Sequence, residues 1–118
     1  MLVAYIDEDP VGCGALKEYD TTIIEIKRMY VHPNHRGKGL SKAILMALTT
    51  WAKELGYLKC ILETGEQMTE AIALYKRNGF EIIPNYGQYA EIEDSICFEK
   101  QLWKALGSVK QTVSLSSK

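Results

Sequence analysis

The sequence predicts an α/β (α+β) domain, a mixed, mostly antiparallel sheet flanked by helices in the order β-β-β-α-β-α-β-β. Three observations carry this. Short β-rich runs broken by turn residues fill the chain up to Val31. Two later segments repeat apolar residues at three- and four-residue spacings, the period of a helix buried on one side. One short apolar run lies between those helices, and joining it to the earlier strands through a helix requires a parallel crossover.

At 118 residues, 47% hydrophobic and 25% charged, the chain suffices for one domain with one core and is too apolar for disorder. Fourteen Lys+Arg against 15 Asp+Glu leave a net charge of -1, which argues against coating nucleic acid or an anionic membrane through bulk electrostatics. A local basic pocket remains compatible with that total. No apolar run approaches the ~20 residues of a membrane span. The start, Met1 to Pro10, lacks the basic region and cleavage site of a signal peptide. Cys13, Cys60 and Cys97 are odd in number, widely spaced and set among apolar neighbours. They read as buried thiols of a cytoplasmic protein, with no metal site expected. The domain is expected over 1–106, followed by a polar Ser- and Lys-rich tail over 107–118.

Leu2 to Ile6 and Val11 to Leu16 pair as a hairpin across Asp7-Glu8-Asp9-Pro10. Gly12 and Gly14 within the second run mark either a close approach by another backbone or a ligand, or merely an irregular strand. Ile23 to Val31 is the third strand. Ile24 and Ile26 share one parity while Met29 and Val31 hold the other, so either the strand is buried on both faces or an extra residue near Lys27-Arg28 forms a β-bulge. The bulge is the favoured reading. Leu40 to Leu55 forms the first helix, with a stripe of Leu40, Ile44, Ala47, Leu48, Trp51 and Leu55, stopped by Gly56. Leu58 to Glu63 is a strand. Thr69 to Asn78 is the second helix, with Ala71, Ile72, Leu74 and Tyr75 inward and Gly79 as its stop. Phe80 to Ile83 and Ser95 to Leu102 complete the sheet, separated by a loop carrying Tyr86 and Tyr89.

The segment with the most chemistry is Arg36-Gly37-Lys38-Gly39-Leu40-Ser41, between a strand and a helix. A helix start presents unpaired N–H groups and partial positive charge, glycines admit a ligand's oxygens to the backbone, and Arg36 and Lys38 add charge. A pyrophosphate or similar dianion suits such a loop. It is neither a Walker A loop nor a Rossmann fingerprint, because GxxxxGK[ST] is absent and Lys42 stands where a third glycine would fall. A plain surface loop with strand-capping glycines is the alternative when the segment is taken alone.

In context the chain resembles the GNAT family of N-acetyltransferases. Arg36, Gly39 and Ser41 occupy the fixed positions of that family's acetyl-CoA motif, Q/R-x-x-G-x-G/A, with Ser41 a departure that stays small. Met29-Tyr30-Val31-His32-Pro33 looks like the family's strand end, and Ala71 to Phe80, AIALYKRNGF, like its second cofactor-side motif. The resemblance covers the chain to about Leu102. It implies a GNAT-like acyl-CoA N-acyltransferase fold and transfer of an acetyl group from acetyl-CoA to a primary amine of a small molecule, amino acid or peptide.

By the same resemblance, backbone N–H groups from Arg36, Gly37, Lys38, Gly39, Leu40 and Ser41 hold the CoA pyrophosphate. The strand at Met29, Tyr30 and Val31 pairs with pantetheine, and an N–H near Val31 polarises the acetyl carbonyl. Tyr75 matches the tyrosine that protonates the departing thiolate, a role its phenol suits because its pKa near ~10 lies close to a thiol's. A tyrosine that simply packs its ring is the structural alternative. Glu25 and Glu63 are the candidate bases for the amine proton, although strand glutamates are usually just solvated. Met68 stands where the family often has Asn. His32 and His35 border the loop, and Tyr86 and Tyr89 either face the acceptor or cover core.

The family also carries a strand and a helical pair before the hairpin at which this sequence starts. That implies a homodimer or another partner filling the wall, or a start placed too far downstream. A truncated, non-catalytic acyl-CoA-binding module is the competing function; neither reading involves nucleic acid, membrane or metal.

Overall fold

In this computed structural model, residues 1–37 and 39–103 are described. Leu2–Ile6 (β1) and Asp9–Glu18 (β2) pair across a turn of only two residues, Asp7 and Glu8, whose φ of 50° and 74° suits the twist of a tight hairpin. The second strand therefore starts earlier than its apolar residues suggest. Pro10 lies within it opposite Tyr5, where the register is irregular.

Ile23–Val31 (β3) runs antiparallel to β2, and the register jumps where expected. Ala15 pairs with Arg28 and Leu16 with Ile26, so Lys27 is the extra residue. The bulge restores the period. Ile24, Ile26 and Val31 are buried in the same core, with Met29 packed against it.

A short 3₁₀ turn, Pro33–His35, leads to Leu40–Glu54 (α1). Lys59–Gly65 (β4), Thr69–Arg77 (α2), Glu81–Ile83 (β5) and Ser95–Gln101 (β6) follow, with a second 3₁₀ turn at Gly87–Tyr89. The sheet order is β1-β2-β3-β4-β6-β5, and among the described residues only β3 and β4 pair in parallel. Both helices contribute to one core on one face: Ile44, Leu45, Leu48 and Ala52 from α1, and Tyr75 from α2, against Cys60, Leu62 and Phe98 of the sheet. The buried stripe of α1 is thus Ile44, Leu45, Leu48 and Ala52, with Leu40 and Trp51 packed at its edge, while Leu55 is exposed just past the helix end. Cys60 and Cys97 are buried free thiols and Cys13 is half-buried; burial pushes the Cys60 thiol up to about 12. The expected 107–118 tail lies outside the described residues.

The β2 glycines prove to be sites of close approach. A Cβ on Gly12 would stand 2.7 Å from the Tyr30 carbonyl oxygen and 2.8 Å from the Ile44 side chain. A Cβ on Gly14 would stand 2.7 Å from Leu48 Cδ1. What comes near is β3 and α1. Gly14→Val is expected to lower stability by about 1–3 kcal/mol through overpacking, seen as a lower urea midpoint at unchanged slope.

Candidate active site

The site follows from one feature of the sheet. β3 and β4 pair only at Ile23–Lys59, Ile24–Cys60 and Glu25–Ile61. Past that point β3 continues to Val31 bonded to β2 alone, and β4 continues to Gly65 bonded to β6 alone. Two parallel strands therefore part into a V at their C-terminal ends, where helices begin and ligands of α/β sheets characteristically bind. The V opens into a cleft of about 1160 Å³, lined by β3 from Ile26 to Val31, β4 from Leu62 to Thr64, the start of α1, and α2 along its length to Asn78.

At the β3 arm the glycine-flanked helix start stands where the sequence puts it. Gly39 caps α1 in left-handed conformation (φ 79°), and Gly37 is left-handed as well (φ 81°), with open space where either Cβ would point. The first bond within α1 is Ala43 N–H to the Gly39 carbonyl. The N–H groups of Leu40, Ser41 and Lys42 thus lack helical acceptors and form a positive end at the cleft. Arg36 differs from expectation. Its backbone N–H turns back to the Pro33 carbonyl, and its Nε donates to the Val31 carbonyl at 3.0 Å. It ties the loop to the strand end, with the guanidinium 5.9 Å from the Tyr30 ring. Lys38 lies outside the described residues. His35 also lines the cleft, and its Nδ1 is buried without a hydrogen-bond partner among the described residues. His32 Nδ1 accepts from the Asn34 N–H, so this histidine braces its own turn.

Tyr75 rises from α2 into the cleft, its ring against Phe80 and Phe98. Burial, and secondarily the charge of Glu63, raise its pKa, so the phenol holds its proton. Glu63 lines the cleft on β4 and accepts from Ser95 Oγ at 2.7 Å. Alternation along β4 puts Leu62 on the helix face and Glu63 on the other, so Tyr75 and Glu63 approach the gap from opposite sides of the sheet.

Glu25 departs from the solvated strand glutamate expected. It is 7% exposed at the vertex of the V, accepts from the Tyr86 hydroxyl at 2.8 Å, and has Lys27 Nζ at 3.8 Å. Burial and the bond to Glu25 raise the Tyr86 pKa strongly. Lys27 is raised as well, first by its hydrogen bond with Tyr89. The tyrosines of the 84–94 loop thus fasten that loop to β3. Ser95, Lys27 and Arg28 were not singled out in advance as site residues, although the parity break that predicts the bulge marks the latter two.

A family model described as Acetyltransferase (GNAT) family matches residues 1–80. The chain belongs to the GNAT acetyltransferase family. The N-acetyltransferase YsnE of Bacillus subtilis is 36% identical over 101 residues, covering 84% of this chain and 67% of YsnE. A solved Klebsiella pneumoniae structure described as an acyl-CoA N-acyltransferase is 37% identical at TM-score 0.76, covering 80% of this chain and 66% of that one. The PaiA N-acetyltransferase of Thermoplasma acidophilum, solved in complex with coenzyme A, is 25% identical at TM-score 0.71, over 84% of this chain and 58% of that one. The chain therefore spans about two thirds or less of the length of these relatives. Its six-stranded, mostly antiparallel mixed sheet and two helices match GNAT acyl-CoA N-acyltransferase structures. No helix among the described residues is long and apolar enough to cross a membrane.

Because the Tyr75 pKa is raised above its unfolded value, the stability linked to its neutral form is complete below ~10 and declines as pH rises through the raised value. A phenolate absorbance titration of wild type minus Tyr75→Phe should show no Tyr75 ionisation in the ordinary tyrosine range; a transition at ~10 would contradict the burial argument.

Proposed function

We propose that this GNAT protein transfers the acetyl group of acetyl-CoA to a primary amine by direct attack. The observation that carries the reading is the V itself. It joins an unpaired strand edge, a helix start with free N–H groups, and a protonated tyrosine facing a carboxylate across the gap. The described residues fit acetyl-CoA as a substrate. The amides of Leu40 to Lys42 suit its pyrophosphate, and β3 from Met29 to Val31 offers backbone groups to the amides of pantetheine.

The chemistry then divides between the sheet faces. The acceptor nitrogen attacks the acetyl carbonyl from the Glu63 face, where the carboxylate takes the amine proton directly or through a water. Charge on the carbonyl oxygen is met by a β3 N–H near Val31. As the N–C bond forms and the C–S bond breaks, the Tyr75 hydroxyl donates its proton to the leaving thiolate. Its raised pKa keeps that proton available across the neutral range. Glu25 stands one step back, holding Tyr86 and Lys27 in place, and is the second carboxylate through which the amine proton can leave.

Incubation with acetyl-CoA and a panel of amines, followed by free-thiol release, tests this. Turnover is expected with at least one amine. Binding of CoA without thiol release on any amine would replace the reading with a non-catalytic acyl-CoA-binding module. Tyr75→Phe should lower kcat about a hundredfold while changing the acetyl-CoA KM little; equal losses in both would reject the general-acid role. Gly39→Asp should abolish CoA binding by calorimetry with the circular dichroism unchanged, since it sets a negative charge and a strained backbone at the helix start.

A further inference from the structure

The transfer reading leaves the acceptor unspecified, and the bulge at Lys27 narrows it. The bulge carries two consecutive cations, Lys27 and Arg28, and both line the cleft. The charge of Lys27 is already engaged, with Nζ 3.4 Å from the Tyr89 hydroxyl and 3.8 Å from Glu25. Arg28 is exposed to the cleft and makes no ion pair or side-chain hydrogen bond among the described residues.

Its orientation follows from register. Gly14 pairs with Met29 on the helix face, so the neighbouring pair, Ala15 with Arg28, lies on the opposite face, the one that carries Glu63. Arg28 is also three residues, about 10 Å of strand, short of Val31, where β3 ends and the chain turns toward the helix start that suits pyrophosphate. The acceptor side of the gap therefore has a free guanidinium on one wall and a carboxylate on the other.

Resting on the acetyl-transfer reading, we infer that the acceptor amine carries a carboxylate, as a free amino acid does, and that Arg28 is the residue that recognises it. Glu63 faces the amine and the planar fork of Arg28 faces the carboxylate, an arrangement matched to the two ends of a zwitterion. A lysine at position 28 would supply charge without the paired donors.

The test compares kcat/KM for a set of amino acids with that for their carboxamides, in wild type, Arg28→Gln and Arg28→Lys. Wild type should prefer the acids, and Arg28→Gln should reduce the acid-to-amide ratio about tenfold or more, with Arg28→Lys between. The acetyl-CoA KM, measured in each variant, reports that the fold and the cofactor seat are intact. Equal use of acids and amides by wild type, an unchanged ratio in Arg28→Gln, or a loss confined to the acetyl-CoA KM would each overturn the inference while transfer itself stands. Failure of every amine to react would overturn the transfer reading and this inference together.

Discussion

The site depends on a single constraint: β3 and β4 stay bonded for three positions and then separate. Backbone N–H and C=O groups removed from a neighbour need another partner or water. A parallel pair that splits inside a folded sheet therefore builds an unsatisfied strand edge into the floor of a cleft. An extended ligand with its own amides satisfies that edge as an added strand would. The glycines of β2 serve the same geometry from the other side, letting α1 sit close enough over β2 and β3 to aim its first turn at the opening.

The split also sorts the chemistry by face. On the helix side a phenol buried against Phe80 and Phe98 keeps its proton. The opposite face carries the polar groups: Glu63 bonded to Ser95, Glu25 bonded to Tyr86, and the two cations of the bulge. A proton donor and a proton acceptor held on opposite sides of one gap do not neutralise each other. In the proposed transfer, that separation sets a proton donor beside the leaving thiolate and a proton acceptor beside the attacking amine.

Much of this was legible in the sequence because it rests on period and turn chemistry. The parity conflict between Ile24-Ile26 and Met29-Val31 located the bulge, and the structure places the extra residue at Lys27. The glycine-flanked helix start and the tyrosine at position 75 were visible as spacing. What stayed hidden depended on contacts between segments far apart in the chain. Glu25 is buried and bonded to Tyr86, 61 residues away, and no local pattern distinguishes it from a solvated strand glutamate. Arg36 carries the family position, yet its Nε bond to the Val31 carbonyl makes it a brace for the loop. The buried stripe on α1 includes Leu45 and Ala52 and leaves Leu55 exposed, because packing against the sheet, which helix spacing alone does not encode, decides the final rotation of the helix.

Amide hydrogen exchange with and without saturating CoA tests the central claim most directly. If the open edge of β3 is the seat of an extended ligand, CoA should slow exchange at amides between Ile26 and Val31 and in the first turn of α1, while β1 and β5 stay unchanged. Binding that leaves those β3 amides unprotected, or that protects the outer strands instead, would contradict it.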